Sequence, residues 1–374
     1  MHKSLWGILA AVLLSAATLR AQQPCPGLPV IINTPEDKLM LAVNGAETPQ
    51  AAADALTKYV ADYPNARFTP CAYEYLTMNY VKMQDFDKAI EAGEKDLAAN
   101  YLDVNLDVTL LKAYIGAGKA TDAAFDLINK SPKLIHDEMM RSMAENAEET
   151  AKDVRAYVEY AFFQLLPRVT DATKRIGYLD AFVKAFPDTT NANQLDVQYF
   201  AAYQLGGDSA KMFEYGQKAV AADPKNLSTL NLVADGFATS NPPHLDEAAA
   251  YAQKALDLAS AQQKPEGMTD DQFKASQDVA LGLAHTTLGY VAMQKGAKTH
   301  HVADAIKELK TAADLLESNP SLQARALYFL GYSYELSYPA NHHLAEEALT
   351  KAVGLDTPWK AQAQDLLDKV KKAH

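Results

Sequence analysis

The stretch from Leu327 to Pro358 reads LYFLGYSYELSYPANHHLAEEALTKAVGLDTP. Leu327, Leu330, Gly331 and Tyr334 recur at the spacing of one helix face, a Ser-Tyr-Pro-Ala break follows, and Ala345, Leu349 and Ala352 resume the period. Apolar residues three and four apart line one side of an α-helix, so the stretch predicts two helices joined by a turn. Such a pair is too small to bury its own apolar faces, and the pattern asks for neighbours of the same kind.

Those neighbours recur along the chain. AYEYLTMNYVKMQDFDKAIEAGEKDL carries Tyr73, Leu76 and Tyr80 on one predicted helix and Ala89 and Gly93 on the next. Thirty-four residues beyond Ala89 lies Ala123, within NLDVTLLKAYIGAGKATDAAFDLI, where Leu110, Leu111 and Tyr114 repeat the first-helix positions. QLDVQYFAAYQLGGDSAKMFEYGQKAVAADP repeats it with Tyr203, Ala219 and Pro224, and TLNLVADGFATSNPPHLDEAAAYAQKAL with Leu230, Phe237, Ala248 and Ala255. Leu288-Gly289 with Ala305 and Ala312 makes a further unit before the stretch quoted first.

This arrangement resembles the tetratricopeptide repeat (TPR), with a large residue, Leu-Gly and Tyr on helix A, small residues on helix B, and then Pro. The resemblance is to the exported bacterial type. It implies an all-α fold, an α-α superhelical solenoid of TPR-like helix pairs, in which stability is a sum over neighbouring units. PWKAQAQDLLDKVKKA, with proline in a first turn and lysines in the last, reads as a C-terminal capping helix. The segments PQAAADALTKYVADYP and TKRIGYLDAFVKAFP each read as one helix ending at Tyr-Pro or Phe-Pro before a repeat, a duplicated arrangement. The expected organisation is a signal peptide at 1–21, an N-terminal extended segment at 22–47, repeats at 48–130, a divergent helical segment at 131–190, repeats at 191–357 and the cap at 358–374. Residues 131–168 depart most from the pattern and fit either a degenerate repeat or a wedge between two half-solenoids.

MHKSLWGILAAVLLSAATLRAQQ has the Lys3, the apolar run from Leu5 to Leu14 and the small residues before Ala21 of a secretory signal peptide. The run is too short to span a bilayer as a helix, so an exported chain, periplasmic or secreted, with no transmembrane segment in its mature form is expected. Cys25 follows Pro24 rather than small residues, which does not fit lipid attachment. Loss of Lys3 and Arg20 with the leader takes the formal charge from −12 to −14, a poor surface for nucleic acid. In an oxidising compartment Cys25 and Cys71 have two fates, a disulfide or two separate thiols.

Candidates for chemistry are scattered. His244, His301 and His343 each precede an apolar residue at the entry to a predicted second helix. His300, His301, His342 and His343 therefore suggest a surface metal ladder. Neighbouring repeats stand about 10 Å apart, long for shared coordination at ~2 Å, and a role in helix entry is preferred. Glu148-Glu149, Asp270-Asp271 and Glu346-Glu347 read as solvated pairs, and His136 and His285 are isolated. No P-loop, HExxH or GxSxG motif is present, and no cofactor is implied.

What the resemblance implies for function is a groove lined by helix A. Its positions give Cys71, Glu74 and Met78; Asn105, Val108 and Lys112; Gln194, Val197 and Ala201; and Arg325, Tyr328 and Tyr332. Arg325, Tyr328, Tyr332, Lys112 and Met78 are the expected partner-binding residues, aromatics beside cations on a surface suited to a protein or peptide. The expected protein is a non-catalytic scaffold for protein–protein interaction in the cell envelope. The alternative is a periplasmic ligand- or metal-binding protein using the histidine-bearing loops.

Overall fold

The computed structural model describes residues 30–98, 103–142, 144 and 146–372. The expected leader at 1–21 and Cys25 lie outside these described residues. Among the described residues there are seventeen α-helices and no strand. Two compact units divide the chain at Thr189 and Thr190.

The first unit holds α1 (Pro35–Asn44), α2 (Pro49–Asp62), α3 (Thr69–Lys82), α4 (Phe86–Ala98), α5 (Val104–Ala117), α6 (Asp122–Arg141), α7 (Ala147–Leu165) and α8 (Ala172–Ala185). The second holds α9 (Ala192–Gly206), α10 (Ser209–Ala222), α11 (Leu227–Thr239), α12 (Leu245–Ser260), α13 (Asp270–Gly296), α14 (Ala303–Leu315), α15 (Pro320–Leu336), α16 (His342–Gly354) and α17 (Lys360–Lys372). In the second unit each helix packs on the next, and α9, α11, α13, α15 and α17 also touch in series. The first unit does the same through α3, α5 and α7. Within each unit two layers result, with the first helices of successive pairs forming an inner row. That is the packing of an α-α solenoid.

Small residues set the close approach. Ala89, Ala255, Ala312 and Ala352 are fully buried and Ala219 nearly so. A Cβ at Gly331 would lie 2.6 Å from Cγ of Leu349, so this contact between α15 and α16 requires glycine. Gly289 meets Leu309 of α14 in the same way, at 2.6 Å. At the far end Ala363, Leu367 and Val370 of α17 are buried against α16, closing the second unit's core as a cap.

Helix starts are fixed by side-chain caps. Thr34 and Thr48 accept from Asp37 N at 3.3 Å and Ala51 N at 3.2 Å, each with proline in the first turn. The helix ends at Tyr63 and Phe186 share one conformation, with φ −131°, ψ 58° and φ −123°, ψ 62°. Proline follows both and disfavours α geometry in the residue before it.

Three expectations are corrected. The 22–47 segment is not extended throughout, because Thr34-Pro35 starts α1 and Leu39 is buried. The boundary expected between 130 and 131 falls inside α6, which continues through Pro132 to Arg141. In the second pair the buried alanine is Ala124, whereas Ala123 is exposed, so the predicted register there slips by one.

Candidate interaction surface

Arg325, Tyr328 and Tyr332 lie on α15, in the inner row of the second unit. Arg325 Nη2 donates to Asp235 Oδ1 of α11, joining residues ninety positions apart in sequence. The guanidinium carbon stands 5.6 Å from the Phe329 ring centre and 5.9 Å from that of Trp359. Its Nε is buried and makes no hydrogen bond. Those two rings contact each other edge-on at 5.6 Å, so the guanidinium lies beside an aromatic pair, with its charge balanced at one edge by Asp235.

The tyrosines differ. Tyr328 is half-buried, its ring 5.5 Å from Trp359 and 5.4 Å from Phe329, and burial raises its phenol pKa. Tyr332 is 39% exposed, and Leu232 of α11 is 40% exposed. Sequence reasoning missed Asp235, Phe329 and Trp359. Taking the α15 positions of Arg325, Tyr328 and Tyr332 back by ninety-seven residues, the offset between Ser337 and Ser240, gives Ser228, Asn231 and Asp235, a signal that was there to be read.

The first-unit positions divide. Cys71 and Glu74 are fully buried in the packing of α3, so they do not line a groove. Met78 is half-buried. Lys112 Nζ lies 5.5 Å from the Tyr157 ring centre of α7, and loss of water lowers the ammonium pKa. Among the described residues there is no free cysteine, and Cys71 is disulfide-bonded.

Four of the histidines have separate partners. His300 Nδ1 donates to the Leu336 carbonyl at 2.8 Å, and His342 Nδ1 lies 2.9 and 3.0 Å from the two Glu335 oxygens. His244 stacks on Phe213 at 4.0 Å, and His285 Nδ1 meets Glu308 Oε2 at 2.5 Å. His301 precedes α14, but His343 lies within the first turn of α16, so the expected common register of these two is not kept. Among the described residues no group of three or more His, Cys, Asp or Glu side chains could hold a metal ion. No helix of the described residues is long and apolar enough to cross a membrane.

No protein-family model matches the chain, and no curated protein matches it. Among solved structures it is similar to a chain of the "Crystal structure of APC/C hetero-tetramer Cut9-Hcn1", at 14% identity over 96% of this chain and 99% of that chain, with a TM-score of 0.20. A superposition that loose bears on neither fold nor function, and the fold rests on the helix packing described above.

Proposed function

We propose that this protein is an exported, non-catalytic TPR-like scaffold of the cell envelope that binds a protein or peptide partner along the inner helix row. The observation that carries the reading is the α15 face, where exposed Tyr332 adjoins Tyr328 and an arginine stands beside the contacting rings of Phe329 and Trp359. Rigid aromatics beside arginine suit a binding hot spot, since they bury large area at small entropic loss. Export rests on the sequence of residues 1–21.

Crosslinked pulldown from native envelopes tests the binding face. Tyr332→Ala should abolish capture while leaving the melting curve unchanged, because Tyr332 is the tyrosine not covered by Trp359. Retained capture would place binding elsewhere. Export is tested by the N-terminus of the purified native protein, expected at Gln22 after cleavage behind Ala21.

A further inference from the structure

Asp96 near the end of α4 and Asp103 and Asp107 at the start of α5 lie at one helix junction, where the charge of Asp103 acts on both of the others. Asp96 lies in the last turn of α4, fully buried, and neither of its carboxylate oxygens has a hydrogen-bond partner. Asp107 in the first turn of α5 is also fully buried; its Oδ2 accepts from the Ser131 hydroxyl of α6 and its Oδ1 has no partner. Asp103 caps α5, with Oδ1 accepting from Leu106 N at 2.7 Å and Oδ2 buried without a partner. Four buried carboxylate oxygens at this junction thus have no protein hydrogen-bond donor.

The surrounding ionisable groups are occupied elsewhere. Lys95 pairs with Glu91 at 2.7 Å and lies over Tyr73 of α3, and Lys112 lies over Tyr157 of α7. Glu138 of α6 accepts from Val104 N at 3.2 Å, adding an acid at the same helix start, and α3 contributes the buried Glu74. Position within the helices separates the three aspartates. The positive end of α5 favours negative charge at Asp103 and Asp107, whereas the C-terminal end of α4 opposes it at Asp96. A carboxylate buried without a partner is far cheaper to hold as the neutral acid.

We propose that the α4–α5 seam is a pH-sensitive latch, closed while Asp96 and Asp107 carry protons and loosened as they give them up. The seam joins the α3/α4 pair to the α5/α6 pair, and α5 carries Lys112, so loosening alters the inner row of the first unit.

Burial, reinforced by the charge of Asp103, pushes Asp96 up to about 8. Burial pushes Asp107 up to about 7, with Asp103 raising it and the Ser131 hydrogen bond opposing. The sign follows from linkage. Both groups hold protons in the folded seam at pH values where the opened chain has released them, so the stabilisation is full below the ordinary aspartate range. It is lost as pH rises through about 7 and 8.

Amide hydrogen exchange of the full chain, corrected for intrinsic rates, tests this between pH 5 and 9. Protection of α4 and α5 should fall with rising pH, by about tenfold per pH unit for each carboxylate that must ionise on opening, and level off near pH 8. Asp96→Asn should remove one such factor, and Asp96→Asn with Asp107→Asn should flatten the dependence. A flat wild-type profile, or one unchanged in the variants, overturns the proposal. Should the variants fail to fold, carboxyl carbon NMR of the wild type decides, since midpoints below pH 5 for both aspartates would sink it. Added Ca²⁺ that restores protection at pH 8 relative to EDTA would also overturn it, making the seam a cation site.

Discussion

Ala89 and Gly296 mark two ways in which a small residue is required. Ala89 is fully buried on the helix that faces α3. Ala89→Leu should overpack that contact and destabilise the chain by about 1 to 3 kcal/mol in urea unfolding. At Gly296 a Cβ would run into the backbone carbonyl of His301, and backbone yields less readily than a side-chain tip. Gly296→Ala should therefore lower the melting temperature, whereas Gly177→Ala, with nothing within 4 Å of the added carbon inside α8, should raise stability by about 0.5 to 1 kcal/mol. Unchanged Tm in both variants would contradict the geometry. Ala89 was legible in the sequence because its repeat keeps the spacing. Gly296 was not, because its contact arises from the turn at His300, whose φ of 58° brings the next carbonyl back onto the helix end.

At the scale of elements, the helix pairs were readable wherever large and small residues kept their period, as in α15 and α16. Reading failed where local signals compete. α1 is a short helix signalled only by Thr34-Pro35, and α6 runs through a proline that normally ends a helix. Of the candidate surface, Arg325 and the two tyrosines were named, but Asp235 lies two inner-row helices away and becomes a neighbour only through stacking. A double-mutant cycle on Asp235→Ala and Arg325→Ala should give a coupling of about 1 to 2 kcal/mol, modest because both side chains are partly exposed. Additive effects would show that the pair does not tie α11 to α15. Cys71 lies in the core formed with Leu39, Leu56 and Leu76, and Cys25 is the other cysteine of the chain. If Cys25 pairs with Cys71, the denatured native protein should take up alkylating reagent only after reduction. By the chain-entropy model the loss of that bridge should cost about 3 to 4 kcal/mol.

Across the whole molecule, stability is distributed rather than pooled. The main hydrophobic clusters include one built on α13 to α17 and another built on α9 to α13. In a stack of this kind a lesion propagates through adjacent interfaces and fades with distance. Gly296→Ala should accordingly raise amide exchange in α13, α14 and α15 while leaving α3 and α4 at wild-type protection. A uniform rise along the chain would mean that the stack opens as one cooperative body.

The ninety-residue reach of Arg325 to Asp235 also sets an order of assembly during synthesis. Most helices find their packing partners one or two elements away, so each pair can close soon after it is made. Asp235 must wait for Arg325. At ribosomal rates of roughly 5 to 20 residues per second, that wait is on the order of 5 to 20 s. A nascent chain therefore carries packed helix pairs well before it carries the Arg325–Asp235 pair. The face assigned to the partner is among the last parts of the second unit to mature, and an incompletely translated chain lacks it.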